Sequence, residues 1–197
     1  MINNPPSWLP SPTIWLLAIT TINHTCPRLR SYTIAIQLDN HHLEGYMNLQ
    51  PTNFWGKARL DPVSGVLLAW HPLAEHCLDV ACTFRALVAL PVIRRRLEAA
   101  AGRSLIETDL DRLAVFALLH DVGKPNRGFQ EKILFADAPR AGHIRELAPL
   151  FAGEALSEQL AVALEVGTLA AWFADPNECE ALLLAAISHH GTPIRFD

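Results

Sequence analysis

The sequence predicts an all-α domain from Met47 onward, preceded by an N-terminal arm of different composition. From Met47 the chain is rich in Ala, Leu, Arg and Glu, which are residues of high helix propensity. Residues 1–46 contain only four charged residues, no Lys, and many Ile, Thr, Asn and Pro. Half of the 197 residues are hydrophobic, so a single domain of this length can bury a sizeable core.

Two interpretations of residues 1–46 are open. Residues 32–38 (YTIAIQL) are rich in β-branched side chains with partial alternation, which is typical of a strand in a small β-containing arm. Alternatively, Met47 is the native start and residues 1–46 are an upstream extension of the reading frame, which is the interpretation we favour. Under both interpretations we expect this segment to be poorly packed.

The charge balance and the cysteines narrow the class of protein. The net charge is -4 and the pI is near 6.1, so nucleic-acid binding would need a local basic patch. The four cysteines lack the CxxC spacing of zinc sites and are typical of free thiols in a reducing cytoplasm. No apolar run reaches the roughly 18 residues of a membrane span, and residues 14–19 (IWLLAI) follow no Lys or Arg, unlike a signal peptide. We therefore expect a cytoplasmic protein with no membrane partner.

Proline and glycine divide the first part of the helical region. Pro72 predicts a helix over Leu73–Leu90, in which apolar positions recur at three- and four-residue spacing and define one face. Pro91 opens a second predicted helix that ends at Ala101, because Gly102 follows it.

Capping residues place the remaining helices. Thr108 is predicted to cap a central helix, with Asp111 three residues on as a weak capping box. The later predictions are a short helix over Phe129–Phe135, a helix over His143–Phe151, a long helix over Ser157–Phe173 capped by Ser157, and a last helix that Asn177 caps and that runs to the His189-His190 pair.

The central helix ends in residues 116–124 (FALLHDVGK), which carry the strongest functional signal. They place His120, Asp121 and Lys124 after a segment that is apolar on every side, and such a helix is normally buried. Buried polar groups need hydrogen-bond partners, counter-charges or a metal. An ionised Asp121 also faces the negative end of the helix dipole and needs a cation nearby. A divalent metal meets these needs; the alternative is a core helix with Gly123 at its C-cap and a histidine bonded to backbone.

Other histidines occupy similar positions along the chain. His76 lies on the apolar face of the first helix, His189 and His190 close the last apolar helix, and His143 follows a glycine at a helix start. We predict that they meet the central His–Asp pair in one interior site. Imidazole and carboxylate ligands suit Mn, Fe, Co, Ni or Zn. A carboxylate can bridge two such ions, and a pair about 4 Å apart clamps a phosphoryl group.

These residues, in this order, resemble the HD superfamily of metal-dependent phosphohydrolases, and most closely the HD nuclease domain of the CRISPR interference helicase–nuclease. The resemblance runs from Asn53 to Gly191 and rests on an ordered set of motifs. The motifs are residues 54–57 (FWGK), 72–81 (PLAEHCLDVA), 120–124 (HDVGK) followed by 129–130 (FQ), 142–143 (GH) and 189–191 (HHG).

The resemblance implies a helical HD-domain bundle with a metal site at its centre. It implies one or two divalent ions (Mn, Fe, Co, Ni or Mg) and gives catalytic roles to Asp121, as the bridging ligand, and to Lys124. Lys124 is expected to hold a substrate phosphate as a point charge; the alternative is an exposed Lys at a helix end. The metal ligands that the resemblance implies are His76, His120, Asp121, His143, His189 and His190.

The resemblance also bears on domain organisation. The family supplies a further Asp ligand from a helix well beyond the His-His pair, whereas this sequence ends seven residues after His190. We therefore expect residues 47–197 to be an HD nuclease domain truncated at its C-terminus. No P-loop of the GxxxxGK[ST] type is present, so unwinding is expected to come from a helicase domain or a separate helicase.

Three functions are consistent with the residues and the resemblance. The one we favour is a metal-dependent endonuclease that cleaves single-stranded DNA for antiviral defence alongside the CRISPR surveillance complex, with Arg127 and Lys132 lining a strand groove. The second is an HD phosphohydrolase that acts on a nucleotide or cyclic nucleotide. The third is a catalytically silent metal-binding module. An open groove favours the first, an enclosed pocket the second, and metal retention without hydrolysis the third.

Overall fold

The structure is a computed structural model that describes residues 54–135, 137–138, 140–148, 151, 158, 161–162, 164–191 and 194. The elements in chain order are β1 (Trp55–Leu60), β2 (Leu67–Pro72), α1 (Leu73–Val88), α2 (Pro91–Ala101), α3 (Glu107–Leu118), α4 (Arg127–Glu131), α5 (Val166–Ala170) and α6 (Pro176–Ile187). Single 3₁₀ turns lie at Leu119–Asp121 and Arg145–Leu147. The mostly helical fold confirms the predicted class, and the expectations for residues 1–46 lie outside the described residues.

The helical core forms where α1, α3 and α6 meet. α1 contributes Leu73, Cys77 and Ala81, which are spaced four residues apart and therefore share one face. Ala81 of α1 and Ala114 of α3 are both 0% exposed and belong to this core. α6 completes the cluster with a second four-residue series, Cys179, Leu183 and Ile187.

A two-stranded antiparallel sheet precedes the helices, and the sequence pattern does not predict it. β1 pairs with β2 from Trp55 opposite Pro72 to Leu60 opposite Leu67. Gly, Lys and Arg interrupt the apolar alternation of residues 55–60, so the usual signal of a half-buried strand is missing. Asp61 shapes the connecting turn, because its Oδ1 accepts hydrogen bonds from the backbone N–H of the residues two and three positions on.

Two helix caps differ from the predicted ones. α3 begins after Ile106, whose N–H donates to Asp109 Oδ2 at 3.0 Å, so Asp109 performs the capping-box role and Thr108 lies inside the helix. α6 begins after Asp175, whose Oδ1 accepts from the N–H of Asn177 at 2.9 Å. The predicted caps are thus each about two residues too late. α1 and α2 match their predictions within two residues.

Three predicted helices between residues 129 and 173 are shorter or interrupted. α4 lies earlier than the predicted Phe129–Phe135, because the Asn126 side chain caps it. In the described part of the predicted helix His143–Phe151, a 3₁₀ turn covers Arg145–Leu147, and Ala148 and Phe151 are α-helical. The predicted helix Ser157–Phe173 is broken at Glu165, whose φ of 48° is left-handed, and only α5 follows the break. The predicted cap of that helix lies outside the described residues.

Within the part of the chain that the structure describes, no single helix is long and apolar enough to cross a membrane. Only α1 and α2 taken together, across a bend of 94°, reach that length and composition.

Candidate metal centre

The Asp121 carboxylate lies at the centre of the helical domain and is 1% exposed. The buried apolar side chains of α3 run directly into the 3₁₀ turn that carries it, so the sequence brings this acid into the core. Asp121 Oδ2 is 3.0 Å from Nε2 of His76, 3.0 Å from Nε2 of His120 and 2.5 Å from Nζ of Lys124. One carboxylate oxygen therefore faces two imidazoles and an ammonium.

The other oxygen of Asp121 faces the later histidines. Asp121 Oδ1 is 3.2 Å from Nε2 of His143 and 3.6 Å from Nε2 of His189. His190 lies beside them, with its ring centroid 4.1 Å from that of His189 and 5.2 Å from that of His143. The structure thus brings the predicted ligand residues together: four of the histidines face the Asp121 carboxylate, and His190 lies beside two of them.

The donor atoms form two groups that could each hold a metal ion. Within each group the candidate ligand atoms all lie within 4.8 Å of one another. The groups are His76, His120 and Asp121 on one side and His143, His189 and His190 on the other. Asp121 contacts both groups, which is the arrangement that a bridging carboxylate requires.

Backbone contacts orient two of the imidazoles. Nδ1 of His120 lies 2.8 Å from the carbonyl oxygen of Ala117, and Nδ1 of His189 lies 3.0 Å from that of Ile187. A carbonyl oxygen only accepts, so in each ring Nδ1 carries a proton and Nε2 is the nitrogen that faces Asp121. This backbone support is typical of metal-binding histidines, in which the second ring nitrogen is hydrogen-bonded.

The buried atoms around Asp121 fit a cation better than they fit one another. His76 Nε2, His143 Nε2 and both carboxylate oxygens are buried and make no hydrogen bond of acceptable geometry within the described residues, despite the short distances. Two ligands of one ion, each roughly 2.1 Å from it, lie about 3.0–3.5 Å apart. The spacing and chemistry of this donor set therefore suit a divalent metal.

The protonation states agree with metal ligation. Burial, and then the positive charge of Lys124, lower the pKa of His76 to about 4, so its imidazole is neutral near pH 7. Burial likewise lowers the pKa of His189. For Asp121, burial raises the pKa, but His120, His143 and Lys124 together outweigh burial and hold it well below its usual range. A neutral His76 beside an ionised Asp121 gives two ligands in the forms that a metal needs.

Lys124 is buried rather than exposed, which excludes the alternative of a solvated Lys at a helix end. Its side chain is 6% exposed, and Nζ donates to the carbonyl oxygen of Gly56 at 2.8 Å as well as facing Asp121. A Cβ at Gly56 would lie 2.9 Å from Cβ of His76, so only glycine lets β1 approach α1 this closely. The hairpin therefore supports both Lys124 and His76.

Sequence reasoning gave no role to two residues that build the centre. Gln130 exchanges hydrogen bonds with the backbone of Trp55 and donates to the carbonyl oxygen of Lys124 at 2.8 Å, joining β1 to the turn after the His–Asp pair. Asn126 joins that same turn to the backbone before His143. Gln130 belongs to the motif of residues 129–130 (FQ), but that motif does not indicate which groups Gln130 contacts. Asn126 is predicted only as a turn residue.

The two cations that were predicted to line a strand groove lie beyond the centre. Arg127 pairs with Glu131 through a 2.6 Å contact, and Nζ of Lys132 lies 3.5 Å from the ring centroid of Phe129. Their part in binding a strand stays a prediction.

A helical domain in which a His–Asp pair follows a buried helix, and in which further histidines converge on the same carboxylate, is an HD domain. A family model described as Cas3, HD domain, matches residues 55–197, and the chain belongs to that family. Searches of the curated proteins and of the solved structures return no match. HD domains bind divalent metals, and this family is one of CRISPR-associated metal-dependent nucleases.

Proposed function

We propose that this chain is a metal-dependent endonuclease that cleaves single-stranded DNA in CRISPR interference. The observation that carries the proposal is the convergence of four imidazole Nε2 atoms on the two oxygens of one buried carboxylate, at 3.0–3.6 Å. The proposed ligands are His76, His120, Asp121, His143, His189 and His190.

The protein's contribution is to hold these ligands in the required protonation states. Divalent ions, when bound, neutralise charge on a phosphodiester and lower the pKa of water. Asp121 stays ionised because of its neighbours, and His76 stays neutral because it is buried beside Lys124. The ligand types favour one or two transition-metal ions such as Mn, Fe, Co or Ni, with Mg as a further candidate.

Lys124 has two proposed tasks. It supplies a buried positive charge to Asp121, and it is positioned by the carbonyl oxygen of Gly56. An ammonium has three N–H donors, so one donor is left to hold a phosphate oxygen of the substrate. The proposed phosphate contact is therefore consistent with the two contacts that Lys124 makes in the structure.

The exposure of the ligands supports a polymer substrate over a small enclosed one. The side chains of His76, His120 and His143 are 11–13% exposed, whereas that of His189 is 27% exposed. His190 is exposed as well. The centre is therefore most accessible beside the end of α6, where a strand lying along the surface can reach it. The family adds a helicase and the CRISPR surveillance complex as proposed partners.

The test is cleavage of circular single-stranded DNA with Mn²⁺, Co²⁺, Ni²⁺ or Mg²⁺ added in turn. Asp121→Ala removes the proposed bridging ligand, and Asp137→Ala, at an exposed position, is the matched control. We expect metal-dependent cutting by the wild type and the control and none by Asp121→Ala. Cutting that survives Asp121→Ala contradicts the proposal. Hydrolysis of nucleotides or cyclic nucleotides in place of DNA would favour the second function, and bound metal without any hydrolysis the third.

A further inference from the structure

His143 is held differently from the other histidines of the centre. His76 lies within α1, and His120 and His189 each follow within two residues of a helix of 12 residues. His143 lies in a segment, residues 140–144, that is neither helix nor strand. Fixing the backbone of such a segment costs conformational entropy that no helix or strand hydrogen bonds of its own offset. Something other than its own secondary structure must therefore hold His143 at 3.2 Å from Asp121.

The Asn126 side chain reaches this segment from the turn after the His–Asp pair. Asn126 Nδ2 donates to the carbonyl oxygen of Gly142 and to that of Gly123, each at 2.8 Å. Its Oδ1 accepts from the N–H of Phe129, also at 2.8 Å. The carbonyl of Gly142 belongs to the peptide that enters His143. One amide group thus joins the His143 segment, the turn after Asp121 and the start of α4.

A close backbone contact between Gly123 and His143 also restrains this segment. A Cβ added at Gly123 would lie 1.8 Å from the carbonyl oxygen of His143, far inside any allowed contact. The peptides before and after His143 are therefore both fixed against the turn of residues 123–126, one by the Asn126 amide and one by contact with Gly123. The ring of His143 then packs edge-on against Phe129, with centroids 5.1 Å apart.

We propose that Asn126 is a positioning residue that fixes the His143 segment, and so sets the metal affinity of the group formed by His143, His189 and His190. The inference rests on the proposed metal centre, and it is specific to one of its two groups. The group that contains His76 and His120 is carried by α1 and by the turn after α3, so the loss of the Asn126 donors leaves it in place.

Two substitutions separate the effect of Asn126 on the His143 segment from its role as the N-cap of α4. Asn126→Asp and Asn126→Ser keep an oxygen that can cap α4 but lack the N–H donors that bind the two glycine carbonyls. Asn126→Asp also places negative charge beside those carbonyls, whereas Asn126→Ser does not. Asn177→Asp, at an exposed first-turn position of α6, is the matched control for the amide-to-acid change.

The first measurement needs no metal. Imidazole NMR signals of His143 are compared with those of His76 and His120 in the metal-free wild type and variants. We expect His143 signals alone to shift and broaden in both Asn126 variants, with all three histidines unchanged in Asn177→Asp. A general loss of packing would move all three, so it would overturn the inference, as would an unchanged His143 in either folded variant.

The second measurement is calorimetric titration of the same proteins with Mn²⁺. We expect both Asn126 variants to weaken one class of sites by roughly 10–100-fold, the range for residues that support ligands, and to leave the other class within about twofold. Equal affinities in wild type and variants overturn the inference. A wild type that binds no metal refutes the proposed function, whereas the NMR comparison still decides whether Asn126 positions His143. If Asn126→Asp does not fold, Asn126→Ser gives the answer in both measurements.

Discussion

Replacing Lys124 by Met would remove a buried ammonium while keeping a long unbranched side chain. Asp121 is 1% and Lys124 5% exposed, and the 2.5 Å contact between them joins two charges with almost no solvent. Removing one member of such a pair costs about 3–5 kcal/mol, because the other charge is left buried without a partner. In the wild type the neighbouring His76, whose pKa burial and then Lys124 lower to about 4, carries no charge at neutral pH. We therefore expect the metal-free Lys124→Met protein to lose about 3–5 kcal/mol of unfolding free energy.

Bound metal should offset much of this loss, since a divalent cation gives Asp121 a new counter-charge. The assay is urea denaturation at pH 7.5, with chelator and then with saturating Mn²⁺, on wild type and Lys124→Met. Lys57→Met, at an exposed position of β1, is the control and should stay within about 0.5 kcal/mol. A Lys124→Met protein as stable as wild type without metal would refute the electrostatic argument. So would a deficit that is identical with and without Mn²⁺.

Three further predictions concern His76, Gly56 and Gln130. An NMR titration of metal-free protein should place the His76 pKa near 4; because the unfolded value is about 6.5, the contribution of neutral His76 to stability is complete above pH 6.5 and is lost as pH falls toward 4. A midpoint near 6.5 would contradict the burial argument. Gly56→Ala should lower the unfolding free energy by about 1–3 kcal/mol, since its Cβ meets His76 at 2.9 Å; an unchanged thermal melt would contradict it. Gln130→Glu removes the donors to the carbonyls of Trp55 and Lys124 and should cost about 1–3 kcal/mol, whereas Gln130→Glu with wild-type stability would show that these bonds are dispensable.

The sequence predicted the parts of the centre that local chemistry determines. A His–Asp pair after an apolar helix must be buried with its charges compensated, and Asp121 is found so. His76 could be placed inward because helical periodicity assigns it to the buried face of α1. The start of α2 at Pro91 and its end before Gly102 follow from residue types with strong positional preference.

The structural features that the sequence did not predict depend on contacts between residues that lie far apart in the chain. The strand β1 lacks alternation, and its position depends on Gln130 and Lys124, which lie about seventy residues later in the chain. The left-handed Glu165 breaks a predicted helix, and the nearest glycine, Gly167, lies after the break and inside α5. Asn126 lies in a stretch with the composition of an ordinary turn, and its hydrogen bond to the carbonyl oxygen of Gly142 spans 16 residues. No local pattern identifies such a contact.

The proposed centre and its nuclease function both require a metal ion held at Asp121. The decisive measurement is an anomalous difference map from crystals of the wild-type protein soaked in Mn²⁺. We predict a peak within coordination distance of the Asp121 carboxylate and His76 or His120, and, if two ions bind, a second peak among His143, His189 and His190. Peaks only elsewhere on the protein, or no peak beside Asp121 at saturating Mn²⁺, would contradict the proposed centre and the nuclease function built on it.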